Sequence, residues 1–173
     1  APIDTSGPKA QGWEEAVALA KQPRLLVLDD PTLGLDVVAR RERVEELIGD
    51  LADRGTTVLV TTHDLRGIEG IADRVGILEG GRLLLDEPLE GLKGRFRRLI
   101  RPEGASGEVE AALSAMRPLR RRPVVGGLEV VVSGADEDGL GRCRAGGSAE
   151  VRPMSLEEIF MAVTDRGTEV DDD

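Results

Sequence analysis

Residues 25–31, Leu25-Leu26-Val27-Leu28-Asp29-Asp30-Pro31, and residues 56–64, Thr56-Thr57-Val58-Leu59-Val60-Thr61-Thr62-His63-Asp64, are two short apolar runs. Each ends in residues that carry chemistry. The first stops at two carboxylates and a proline, the second at a histidine and an aspartate. One helix-length segment lies between them, so the pair is expected as a strand–helix–strand unit. Such a crossover places both strands in one sheet, pointing the same way, which makes the fold class α/β. In open α/β sheets ligands collect outside the carboxyl ends of the strands. Asp29, Asp30 and His63 are therefore expected to face one crevice, although a whole helix of chain separates them.

Metal-assisted phosphoryl transfer is the chemistry that needs this set. An apolar strand ending in Asp is the Walker B arrangement, whose carboxylate helps hold Mg²⁺ at a nucleotide's phosphates. Mg²⁺ keeps several waters and takes only one or two carboxylates, so one well-placed Asp suffices. A second carboxylate next door can polarise an attacking water. A histidine across the crevice can hydrogen-bond the terminal phosphate or that water. Taken singly, each piece has a plainer explanation. Two acids after a strand suit a solvated strand end, a lone histidine suits the surface, and Asp36 suits a helix N-cap. Two strands of one unit both ending in such residues are what those explanations do not produce.

With these residues in place, Leu25 to Asp36 (LLVLDDPTLGLD) resembles the Walker B and D-loop of ABC transporter nucleotide-binding domains. Thr61-Thr62-His63-Asp64 resembles their switch-histidine loop, and Arg74 to Arg82 (RVGILEGGR) also fits. The likeness runs from about Val17 to Phe96. It implies the C-terminal part of a P-loop NTPase of the ABC type, a parallel sheet with helices, followed by a small α+β extension. It further implies ATP and Mg²⁺ as cofactors, a second ATPase subunit and a transmembrane permease as partners, and a place at the cytoplasmic face of the cell membrane through that permease. By the same likeness Asp29 would hold Mg²⁺, Asp30 would orient the water, His63 would sense the γ-phosphate and Asp36 would bridge the two subunits. Asp30 stands where the family usually carries Glu.

The family's signature, Leu-Ser-Gly-Gly-Gln, falls on Thr5-Ser6-Gly7-Pro8-Lys9 when counted back from Pro23. Ser6 and Gly7 match and remain the nucleotide-binding candidates there; Thr5, Pro8 and Lys9 depart. Pro8 has no N–H to offer a phosphate oxygen. Either the signature has decayed or the first dozen residues are foreign to this frame. No G-x-x-x-x-G-K-[ST] phosphate cradle occurs in the chain, which begins at Ala1. The sequence is therefore expected to be a C-terminal fragment, or an incomplete reading frame, of a longer ATPase. Alone, it is expected to bind ATP weakly or not at all.

Composition excludes other classes. The 173 residues carry 33 acids against 23 bases, a net charge of −10, which argues against a general affinity for nucleic acid. Only Trp13, Phe96 and Phe160 are aromatic, too few for base-stacking platforms. A soluble ATPase of chromosome or repair machinery would need a long coiled coil or a DNA-binding surface, and neither is visible. The single cysteine, Cys143, rules out an internal disulfide and suits a reducing compartment. No run approaches the roughly 18 apolar residues of a membrane span, so membrane association is expected through a partner.

The crossover helix is expected over 37–54, with Val44, Leu47, Ile48 and Leu51 on its apolar stripe and Gly55 as its stop. A short helix follows over 65–72. Strands at 75–78 and 82–85 turn at Gly80-Gly81, and Asp86-Glu87-Pro88 is expected as a turn into the next helix. Residues 1–95 are assigned to the nucleotide-binding part and 96–173 to an accessory α+β domain. There a helix is expected at 107–118, strands at 127–133 and 148–152, and a last helix opened by the capping box Ser155–Glu158, with Leu156, Ile159, Phe160 and Val163 on one face. Asp136-Glu137-Asp138-Gly139 reads as an acidic turn. Arg95, Arg97, Arg98, Arg101, Arg117 and Arg120 to Arg122 form either a solvated face or a docking patch. The second possibility belongs to the alternative function, a non-catalytic module that docks on another subunit.

Overall fold

A computed structural model describes residues 23–31, 39–145 and 149–164. Ser6, Gly7 and Asp36 lie outside the described residues. The chain forms two compact units, one ending at Ile71 and the other beginning at Ala72. The fold is mixed α/β, with one parallel and two antiparallel sheets among the described residues.

In the first unit, strand β1 (Leu25–Asp29) is followed by helix α1 (Ala39–Asp53), strand β2 (Thr57–Thr61) and the single turn α2 (Leu65–Ile68). β1 and β2 pair in parallel, from Leu25 opposite Thr57 to Asp29 opposite Thr61. This is the crossover expected from the two apolar runs. Gly55, at φ 84°, ends α1. Its N–H bonds to Ala52 O at 2.9 Å, and the next, on Thr56, reaches Leu51 O at 3.0 Å. That is the Schellman closure, which favours a residue free to take positive φ. Ile48 and Leu51 are buried. Both strands alternate in exposure, and the outer face leaves Leu25 and Val27 57% and Leu59 56% exposed.

The second unit opens with a hairpin, β3 (Arg74–Glu79) and β4 (Arg82–Pro88), closed by Gly80 and Gly81 at φ 54° and 77°. Both positive angles suit the tight turn that matches strand twist. β4 continues through Asp86 and Glu87, so these are strand residues and not the expected turn. Their carboxylates are held by Arg74 and Arg95, which keeps polar chain in the ladder. After α3 (Leu89–Arg95) come β5 (Arg97–Pro102), α4 (Gly107–Ala115), β6 (Pro118–Val124), β7 (Gly127–Val132), α5 (Glu137–Ala145), β8 (Glu150–Pro153) and α6 (Leu156–Thr164).

β5 to β8 form one antiparallel sheet in the order β6-β7-β5-β8. With its two helices this is a β-α-β-β-α-β chain, the split βαβ or ferredoxin-like arrangement. Leu99, Val130 and Val132 of the sheet bury against Val109, Leu113 and Met116 from α4 and its C-terminus, and against Leu140 and Cys143 of α5. Among the described residues no helix is long and apolar enough to cross a membrane.

Two strands here, β5 and β6, were not foreseen, because clustered arginines (Arg97, Arg98 and Arg101 in the first, Arg120, Arg121 and Arg122 in the second) mask the apolar period. The sheet accepts them because acids meet them. Arg98 reaches Glu158 at 2.7 Å and Glu129 at 3.7 Å, while Arg101 and Arg121 share Glu110. Arg95 grips Glu87 through two nitrogens. These arginines are part-exposed and each is balanced by an acidic neighbour. The acidic turn is corrected as well: Asp136 Oδ1 accepts the Gly139 N–H at 2.6 Å and caps α5. The capping box of α6 is complete, Glu158 N donating to Ser155 Oγ at 3.2 Å and Ser155 N to Glu158 Oε2 at 2.8 Å. Phe160 is only half-buried; Leu156, Ile159, Ala162 and Val163 make the inner face.

Acid should loosen this unit in a definite window. The Ser155 backbone N–H, with Arg98 nearby, holds Glu158 below the ordinary glutamate value of 4.5, and Arg95 does the same for Glu87. A lowered folded-state pKa contributes stability that is complete above the unfolded value and is lost as pH falls through the folded one. Melting temperature is therefore expected to be flat from pH 7 to about pH 5 and to fall below that. Thermal melts of Glu158→Gln should show a shallower acid limb; an unchanged limb would assign the effect elsewhere.

Candidate functional site

The site begins with the register of two strands. Because Asp29 lies opposite Thr61 in a parallel ladder, both chains leave the sheet at the same level. The Thr61 hydroxyl donates to Oδ1 of the exposed Asp29 and so orients that carboxylate, whose Oδ2 has no hydrogen bond among the described residues. Asp30 N donates to Thr61 O at 2.8 Å, extending the ladder one step past the strand. Asp30 itself sits at φ 45°, in the left-handed region that aspartate tolerates better than most residues.

That turn brings the Asp30 carboxylate across to the second strand. Its Oδ2 lies 2.8 Å from His63 Nδ1, and Thr62 Oγ1 approaches Oδ1 at 3.5 Å. Asp64 then caps α2, its Oδ1 accepting the Gly67 N–H at 3.3 Å, while its own N–H bonds to Thr62 Oγ1 at 2.9 Å. The loop carrying His63 is thereby fixed on both sides. The His63 side chain remains 72% exposed and that of Asp30 23%. His63 therefore has a free outer edge, Nε2, at the mouth of the crevice.

The structure thus gathers Asp29, Asp30 and His63 at the ends of β1 and β2. Ser6, Gly7 and Asp36 cannot be placed with them, since they lie outside the described residues. Thr61 and Thr62 were missed as participants. Their signal was present in the sequence, two hydroxyls just before the histidine, but only strand register shows which carboxylate each one meets.

The donor set fits a hard divalent cation that keeps most of its water. One carboxylate oxygen of Asp29 has no hydrogen bond among the described residues, and Mg²⁺ needs no more than one or two protein carboxylates when phosphates and water complete its shell. Among the described residues no group of three His, Cys, Asp or Glu side chains could cage a metal by itself.

No family model matches the chain. Over 154 residues it is 34% identical to the fluoroquinolones export ATP-binding protein of Mycobacterium tuberculosis, covering 87% of this chain and 47% of that protein. It is 35% identical over 157 residues to the Nod factor export ATP-binding protein I of a Rhizobium species, covering 89% of this chain and 51% of that one. The namesake of Neorhizobium galegae is 32% identical over 169 residues, 96% of this chain and 48% of that protein. This homology supports membership in the ABC transporter ATP-binding superfamily. The chain spans about half the length of the curated relatives it matches. The separation of the two carboxylates from the histidine follows from the intervening helix, the crossover that makes β1 and β2 parallel.

Proposed function

We propose that this chain is the C-terminal part of an ABC transporter ATPase subunit that energises export across a membrane. One observation carries the proposal: two carboxylates and a histidine meet at the carboxyl ends of two parallel strands, with His63 Nδ1 at 2.8 Å from Asp30. A second supports it. The apolar outer face of β1 and β2 is uncovered at Leu25, Val27 and Leu59, whereas parallel sheets are ordinarily covered on both faces. An α/β domain with further strands and helices would bury it.

In this proposal two such subunits bind ATP between them and drive a permease from the cytoplasmic face. Asp29, steadied by the Thr61 hydroxyl, would hold Mg²⁺. Bound there, Mg²⁺ supplies charge neutralisation at the phosphates. Asp30, in contact with His63, would orient the attacking water. His63, when protonated, donates through both nitrogens, one toward Asp30 and the other toward a phosphate oxygen. Asp36, Ser6 and Gly7 would meet the partner subunit's nucleotide. The relatives are export proteins by name, and export is the direction assigned here. The docking-module alternative would draw on Arg95, Arg98 and Arg101, which are engaged by acids.

Substitution at Asp30 in the full-length subunit is the direct test. Asp30→Asn is expected to lower Mg²⁺-dependent ATP turnover by roughly 100-fold or more, the scale of one general base. Asp30→Glu is expected to raise turnover or leave it unchanged, because the longer arm reaches about 1.5 Å further and misplacement on the order of 1 Å costs roughly 100-fold. Unaltered turnover in Asp30→Asn would remove the catalytic role. A large loss in Asp30→Glu would show a site built around aspartate and its left-handed backbone.

A further inference from the structure

Three irregularities of the second unit converge on one cavity of about 480 Å³. In the hairpin, Ile77 pairs with Leu85 and Leu78 with Leu83, so Leu84 is an extra residue, a β-bulge. In the sheet, Pro118 pairs with Val132 and Arg120 with Val131, so Leu119 is a second one. Neighbours on a regular strand point to opposite faces. At the bulges they do not: Leu84 and Leu85 both line the cavity, and so do Pro118 and Leu119. The third irregularity is Arg117, a non-glycine residue at φ 54° that also lines it.

Arg117 is held in that conformation from outside. Its carbonyl accepts from Ser133 N at 3.1 Å and Ser133 Oγ at 3.3 Å, and Gly134 N bonds to Met116 O at 2.9 Å. Backbone strain and paired bulges of this kind collect where a side chain must be aimed. The volume also falls within the roughly 300–1,000 Å³ of small-molecule sites.

The charges at the wall indicate what would enter. Arg95 is occupied, bound to Glu87 and to the Ser133 carbonyl at 2.5 Å and stacked over Phe96 at 4.6 Å. Arg117 and Glu79 are not: among the described residues neither side chain has a hydrogen bond or an ion pair. One open cation and one open anion thus line a wall that is otherwise leucine, valine, proline and phenylalanine, with Ser133 and the occupied Arg95. We propose that this cavity binds a small zwitterion with an apolar body, an amino acid or short peptide. Its carboxylate meets Arg117, its ammonium meets Glu79, and its side chain lies against Leu84 and Leu119. This shares no residue with the strand-end site, so it stands or falls independently of the ATPase assignment.

The test is an NMR titration of the full chain with L-phenylalanine and, in parallel, with the dipeptide Leu-Phe; the tighter of the two identifies the source class. Saturable shifts at Arg117, Leu119 and Val163 are expected. Blocking either end, as N-acetyl-L-phenylalanine or L-phenylalaninamide, should weaken binding by about tenfold or more, the scale of one charge-assisted hydrogen bond. Glu79→Gln and Arg117→Asn should weaken the unblocked probe by a similar factor. Asn tolerates positive φ, and Glu79 is exposed beside the hairpin turn, so both variants should keep the fold. No saturable binding of either probe, equal binding of the blocked forms, or unchanged binding by Glu79→Gln would overturn the proposal.

Discussion

Under the proposed function, His63→Ala in the full-length subunit is expected to cut ATP hydrolysis by roughly 100-fold or more while leaving ATP binding nearly intact. The side chain is 72% exposed and among the described residues its hydrogen bond is to the Asp30 carboxylate, so truncation removes very little packing. Nucleotide affinity in this class comes chiefly from a phosphate cradle, which the histidine does not supply; His63 acts on the reacting end. The loss should therefore appear in kcat and not in the binding of a non-hydrolysable nucleotide. Stability should stay within about 0.5 kcal/mol of the parent, as for most surface substitutions. Steady-state kinetics and nucleotide titration on the same preparation check both halves. Hydrolysis surviving His63→Ala would mean that the contact with Asp30 is a loop brace and no more. The arginines behave in the opposite way. Arg95→Ala strips Glu87 of its bidentate partner, so its effect should be seen in thermal stability first.

Gly127→Ala should be the most damaging single methyl in the second unit. Gly127 faces Pro102 across the β5–β7 ladder, and a Cβ built on it would lie 2.1 Å from the Arg101 carbonyl oxygen and 3.0 Å from Pro102 Cα. Both are backbone atoms, so no side chain can swing away; the strands must separate or slip. A slip of one residue would turn Val130 and Val132 out of the core. Overpacking of this kind typically costs about 1–3 kcal/mol, and the backbone clash places this case at the upper end. At about 4–8 °C per kcal/mol for a domain of this size, the melting temperature should drop on the order of 10–20 °C. Gly141→Ala is the matched control, since a Cβ there meets nothing within 4 Å. Calorimetry on the pair decides the matter; equal melting temperatures would contradict the register.

Legibility followed the range of the interaction. The β1–α1–β2 unit could be read because its signals are local: two apolar runs, a 3.6-residue stripe at Leu47, Ile48 and Leu51, and a glycine at the helix end. The capping box at Ser155 is equally local, four residues that satisfy one another. That Asp29, Asp30 and His63 share a crevice followed from topology alone, since parallel strands must end on the same side. The His63–Asp30 contact did not. It depends on Asp30 taking φ 45°, a backbone choice stabilised by a hydrogen bond to Thr61.

The second unit was harder for one reason, which is that its decisive partners are far apart in sequence. Arg98 looks like surface charge until Glu158, sixty residues later, is brought to 2.7 Å. Arg120 to Arg122 hide a strand until β7 supplies Val130, Val131 and Glu129 opposite them. By itself, then, the sequence determined the parallel crossover, the placing of two carboxylates and a histidine at its strand ends, and the helix ends at Gly55 and Ser155, because periodicity and capping act within a few residues. Tertiary structure alone decided the arginine-bearing strands, the two bulges and the left-handed turns at Asp30 and Arg117. In each of these a locally unfavourable conformation or charge persists because a partner distant in the chain meets it.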